Sequence, residues 1–109
     1  MTEKLLGKIN FAEFGTIHDM PFLFGLQLGF SMSGCGIMDG GSGCVNIGPT
    51  CKWSSPDARS LAIAVMVDRT HGILKDAKVN YVSELVGRPV EVTIVDNTFK
   101  DFRILTEVL

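Results

Sequence analysis

Phe22-Leu23-Phe24-Gly25-Leu26-Gln27-Leu28-Gly29-Phe30-Ser31-Met32 decides the fold of this 109-residue chain. Every even position is large and apolar. The odd positions are Leu23, Gly25, Gln27, Gly29 and Ser31. A period of two puts the even set on one face of a β-strand, so the stretch predicts a central strand with an aromatic core face. Gly25 and Gly29 strip the other face of bulk, which lets the sheet twist or another backbone come close.

Upstream, Ile9 and Phe11 alternate with Lys8 and Asn10, predicting a short strand over 7–14. His18-Asp19-Met20-Pro21 reads as a turn. Downstream, residues 33–44 form a glycine-rich loop, and Val45-Asn46-Ile47 a third short strand ended by Gly48-Pro49. Ser55 is a natural N-cap, Pro56 fits a first helical turn, and Asp57 suits the positive end of the dipole. The helix is expected over 56–76. On a helical wheel Asp57, Ser60, Ala64, Asp68, His71 and Lys75 form one narrow polar stripe, with apolar residues around most of the rest. A surface helix carries a wider polar face, so this one is expected to be covered on more than one side. A helical turn over 82–86, a strand over 90–95, a two-residue Asp96-Asn97 hairpin and a strand over 98–108 complete the chain. The order β-β-β-α-β-β predicts an α+β domain: one mainly antiparallel sheet with a long helix on one face, a single domain over 1–109.

Apolar residues make up 46% of the chain and charged residues 20%, with a mean hydropathy of +0.28. That excludes a disordered chain. No run of 18 apolar residues occurs, so no membrane span is expected. The N-terminal residues carry no signal-peptide core, which reads as cytosolic. The net charge is −2 and the pI about 5.6. Ten Lys and Arg are scattered among twelve acids, which argues against a nucleic-acid partner. Cys35, Cys44 and Cys51 are odd in number and lack C-x-x-C spacing, so thiols are expected rather than bridges. A zinc site drawing on His18 or His71 matches no known ligand spacing, and no metal is expected.

Two places suit ligand chemistry. Gly36, Gly40 and Gly41 lie in the glycine-rich loop, whose N–H groups can cup an anion; the plainer reading is a flexible hairpin loop. The loop is neither a P-loop nor G-x-G-x-x-G, and no cofactor is expected. Lys52 and Trp53 precede the helix and Arg59 sits in its first turn. A helix start favours anions and a lone tryptophan can stack on a flat ring, so these residues form a candidate site; the plainer reading is a stapled helix start. His18, His71, Lys78 and Tyr81 have no neighbour that marks them as catalytic, and binding is expected over catalysis, with a cysteine-dependent enzyme ranked last. From Met20 to Cys51 the only charged residue is Asp39. So long a neutral stretch predicts burial against copies of the same chain or around a ligand.

Several segments resemble a family of small proteins encoded by bacteriophages and prophages. They are Ala12-Glu13-Phe14-Gly15, Cys51-Lys52-Trp53, Asp76-Ala77-Lys78-Val79, Ser83-Glu84-Leu85-Val86-Gly87, Pro89-Val90-Glu91-Val92-Thr93 and Arg103-Ile104-Leu105-Thr106-Glu107-Val108-Leu109. The match spans most of residues 12–109; the family pattern often has tryptophan where this chain has Cys35. The resemblance implies a phage accessory protein in the bacterial cytoplasm, countering host defence. Such a protein acts as an oligomeric sponge for a small anionic, nucleotide-like ligand, or as a direct antagonist of a host defence protein. It implies no catalytic residues.

Overall fold

The computed structural model describes residues 1–39 and 43–108. Its elements run β1 (Thr2–Ile17), β2 (Met20–Met32), β3 (Cys35–Met38), β4 (Gly43–Asn46), α1 (Pro56–Ala77), β5 (Pro89–Val95) and β6 (Thr98–Ile104). Short 3-10 turns lie at Val82–Leu85 and Thr106–Val108. The class is α+β, as expected, but the order is β-β-β-β-α-β-β. All strand pairs are antiparallel, in the order β3-β2-β1-β5-β6, with β4 also on β2.

Several expectations need correcting, among them the last strand, which ends at Ile104 rather than at 108. The stretch over 33–44 is not simply a loop: β3 occupies part of it, pairing Cys35–Met38 with Gly29–Met32, and β4 begins at Gly43. The first strand is far longer than 7–14. The middle of the sheet belongs to β1, with β2 beside it. The even face of β2 is core from Leu26 to Met32, yet Phe22 is exposed. On its β1 side the β1–β2 hairpin runs on past β5, since β1 pairs with β5 only through Lys8, while β2 stays paired with β4 from Leu23 to Leu26.

One extra residue, Asn10, interrupts β1 between the pairs Ile9↔Phe30 and Phe11↔Gly29. This bulge reverses which side chains face the core, from Ile9 to Ala12. At the same point the backbone turns from β5 to the segment before it: Ile9 N–H donates to the Arg88 carbonyl and Gly87 N–H to that of Ile9.

The sheet curls. Phe30 of β2 stacks on Phe99 of β6 at 5.4 Å and touches Phe102 at 5.0 Å. With β1 and β5 between them, β2 and β6 would stand roughly 14 Å apart in a flat sheet at about 4.8 Å per strand. The curl wraps the concave face around Ile9, Leu28, Phe30, Leu85, Val90 and Val92, all fully buried. It also brings the outer strands together, so that Ile37, Met38 and Asp39 share a shallow hollow with Asn97, Thr98 and Phe99. Asp96 and Asn97 take positive φ (51° and 64°), as the two-residue hairpin between β5 and β6 requires.

Candidate functional site

The chain folds locally into α1 for the expected reason: Ser55 Oγ accepts from Ala58 N–H at 3.1 Å, with Pro56 and Asp57 in the first turn. The helix packs on β4 and touches β2 and β6. Among the described residues the helix is covered on one side, where Met66 and Ala77 are buried.

Between α1 and β4 lies an apolar groove of about 480 Å³. Its walls are Gly43, Cys44 and Val45 on the strand, and Ala58, Leu61, Ala62, Val65, Met66 and Arg69 on the helix. Gly43, Ala58 and Ala62 supply the room by having little or no side chain. Leu61 and Val65 stand 66% and 56% exposed. Among the described residues Arg69 is the one cation of the lining, and it also lines a smaller hollow with Asp76, Asp101 and Arg103. A volume near 480 Å³ falls within the size range of small-molecule sites, roughly 300–1,000 Å³.

β4 reaches this position through two glycine-dependent contacts, one at Gly43, where a Cβ would lie 2.7 Å from the Leu26 carbonyl oxygen, and one at Gly25. Gly25 pairs with Cys44, and a Cβ on Gly25 would strike the Gly43 carbonyl oxygen. Asp39 holds the junction between β3 and β4. It is 7% exposed, its N–H donates to the Leu28 carbonyl at 3.0 Å, and its Oδ2 accepts from Leu28 N–H at 3.2 Å. Leu28 therefore sees a backbone donor and a side-chain acceptor where an unbroken strand would give two backbone groups.

Cys44 donates its thiol to the Leu26 carbonyl at 3.6 Å. Burial, and then the charge of Asp39, push this thiol above its ordinary value of 9.0. That is the reverse of what a nucleophilic cysteine needs. At pH 8, iodoacetamide should therefore label exposed Cys35 first and Cys44 last, read by peptide mass spectrometry. Equal rates at the two positions would contradict this account. Because folding raises the pKa of Cys44, its contribution to stability is intact below pH 9.0 and falls as pH rises toward the folded value.

The residues expected from sequence to bind a ligand do not line the groove. Lys52 and Arg59 are exposed on either side of the helix start. Trp53 is half-buried, and its buried Nε1 has no hydrogen-bond partner among the described residues. Gly36 is an exposed position of β3, paired with Ser31. Gly40 and Gly41 lie outside the described residues. The helical wall of the groove is Ala58, Ala62, Val65, Met66 and Arg69, which share one face at helical spacing, and the sequence reading did not single them out. His18 is 98% exposed beside Asp19, and His71 is exposed. Among the described residues no three His, Cys, Asp or Glu side chains converge as a metal site would require, and no helix is long and apolar enough to cross a membrane. Compared with known family models, curated proteins and solved structures, the chain matches none.

Proposed function

We propose that this chain is a non-enzymatic binding protein, self-associating, that holds a small anionic, nucleotide-like ligand in the groove between α1 and β4. The observation that carries the reading is the lining: apolar walls spaced by Gly43, Ala58 and Ala62, with Arg69 as the cation. A flat ring buries well against Val45, Val65 and Met66, and a guanidinium matches a phosphate through paired donors. The setting attached to this reading is sequestration of a nucleotide signal in the bacterial cytoplasm, to the benefit of a phage. It rests on the resemblance of several segments, spanning most of residues 12–109, to phage-encoded chains. A second reading, direct blocking of a host defence protein, is favoured by the exposed Leu61 and Val65, which suit an apolar partner surface.

The test is a thermal-shift and calorimetry panel of mono-, di- and cyclic nucleotides. A bound nucleotide should stabilise the fold by about 2.7 kcal/mol at a hundredfold excess over its Kd. Ala62→Trp, which fills the groove, should abolish that binding, and Arg69→Met should weaken it about 10- to 100-fold, the worth of a charge-assisted contact. The ligand should be recovered chemically intact. Affinity unchanged in both folded variants would remove the groove from the account.

A further inference from the structure

The outer edge of β1 beyond the Asn10 bulge carries a second surface. Along β2, even residues turn their backbone groups away from β1: Leu28 bonds to Asp39, and the Phe22 carbonyl accepts from Ile47 N–H. The odd residues of β2 therefore bond to β1, and their partners there are Phe11, Glu13 and Gly15. Ala12, Phe14 and Thr16 must then point their N–H and C=O groups outward. The same parity follows from the other side, since Ile9 faces outward before a bulge that inserts one residue.

β5 stops pairing at Lys8, and among the described residues no backbone hydrogen bond reaches that outer edge from 12 to 16. The Thr16 carbonyl accepts a side-chain bond from Gln27 Nε2 at 3.4 Å, which leaves it a second lone pair. The core-side face of the same arm is apolar and only partly covered. Phe14, Met20 and Phe22 are 43%, 41% and 43% exposed, and Phe14 leans edge-on against Phe24 at 5.3 Å.

We infer that this edge pairs with the same edge of a second copy, antiparallel about a twofold axis at Phe14. The inference rests on the self-association in the proposed function and supplies its surface. The edge matches itself: Phe14 meets the partner's Phe14, Ala12 meets the partner's Thr16, and every outward group finds its complement. Such pairing forms six new backbone hydrogen bonds by this geometry, two at Phe14 and two at each flanking pair. The charge pattern agrees. Glu13 is the only charged residue from Phe11 to Ile17, and in this register it faces the partner's Gly15, not another Glu13. An unrelated strand offers no such fixed register. The two Phe14 rings, about 5.5 Å apart at their Cα atoms, extend the aromatic face across the axis.

Sedimentation of the full chain at 100 μM, with circular dichroism as the fold check, tests it. The unaltered chain should sediment as a dimer or a multiple of one. Phe14→Glu should weaken the pairing at least 50-fold, while Leu6→Glu, on the exposed opposite face of β1, should leave it unchanged. Phe14→Cys should be joined into a covalent dimer by a short bis-maleimide, with the unaltered chain as the control for Cys35, Cys44 and Cys51, and this decides the matter if Phe14→Glu does not fold. A monomeric chain would overturn both this surface and the self-association of the proposed function. A dimer indifferent to Phe14→Glu and giving no cross-link would overturn this surface alone.

Discussion

Gly25→Ala should lower the stability of the fold by about 2–6 kcal/mol, and its cross-strand partner variant Gly15→Ala by distinctly less. The two glycines face each other across β1 and β2, with nearly the same backbone: φ is +150° at Gly25 and +157° at Gly15. Side chains rarely adopt that conformation, and forcing one costs about 1–3 kcal/mol at either position. The surroundings differ. A Cβ on Gly15 meets nothing within 4 Å, whereas one on Gly25 collides with the Gly43 carbonyl oxygen and lies 2.9 Å from Cys44 Cα. Both obstacles are backbone, so relief requires β4 to move, and overpacking of that kind adds about 1–3 kcal/mol. β4 forms one wall of the groove, so ligand affinity should fall with stability in the Gly25 variant and hold in the Gly15 variant. Urea midpoints of the two variants, measured side by side, make the comparison. Equal losses would mean that backbone conformation alone selects glycine at position 25.

That pair of glycines shows what was legible in the sequence and what was not. The alternation from Phe22 to Met32 announced β2 because one face of a strand repeats every two residues. Ser55-Pro56 announced α1, and Asp96-Asn97 the final hairpin, because capping and positive φ are local demands. Gly25 read as a point where the sheet twists or another backbone comes close, and a backbone does come close there. The backbone that approaches, β4, read as a strand only from Val45. β3 escaped because Cys35-Gly36-Ile37-Met38 has no burial period of its own; its pairing comes from the free edge of β2. Phe22 read as core although β1 has already outrun β5 at that level. The expected ligand residues Lys52, Trp53 and Arg59 were chosen for their chemistry, charge and aromatic surface. The groove is made instead by absent volume, at Gly43, Ala58 and Ala62, and vacancy between two distant segments leaves no mark on either segment alone.

Asp39→Ala should cost about 2–3 kcal/mol, while Asp39→Asn should cost less than about 1 kcal/mol. Asp39 is the only charged residue between Met20 and Cys51, and the fold buries it at the point where β3 and β4 part. Its carboxylate takes the Leu28 N–H that an unbroken edge strand would have satisfied by a carbonyl. Alanine leaves that N–H buried with no acceptor, a penalty of about 1–3 kcal/mol, and removes a charge-assisted bond. Asparagine keeps a carbonyl oxygen of the same reach. Two readouts separate this role from generic loss of a buried side chain. Amide exchange at Leu28 should accelerate in Asp39→Ala more than at Phe30, one hydrogen-bonding position along the strand. The thiol of Cys44, now raised partly by the charge of Asp39, should become more reactive in both variants, because both remove that charge. Asparagine thereby splits the two functions of one carboxylate: it preserves the splice between the strands and abolishes the electrostatic hold on the cysteine. If Asp39→Asn destabilised as much as Asp39→Ala, the charge rather than the acceptor geometry would be what joins β3 to β4.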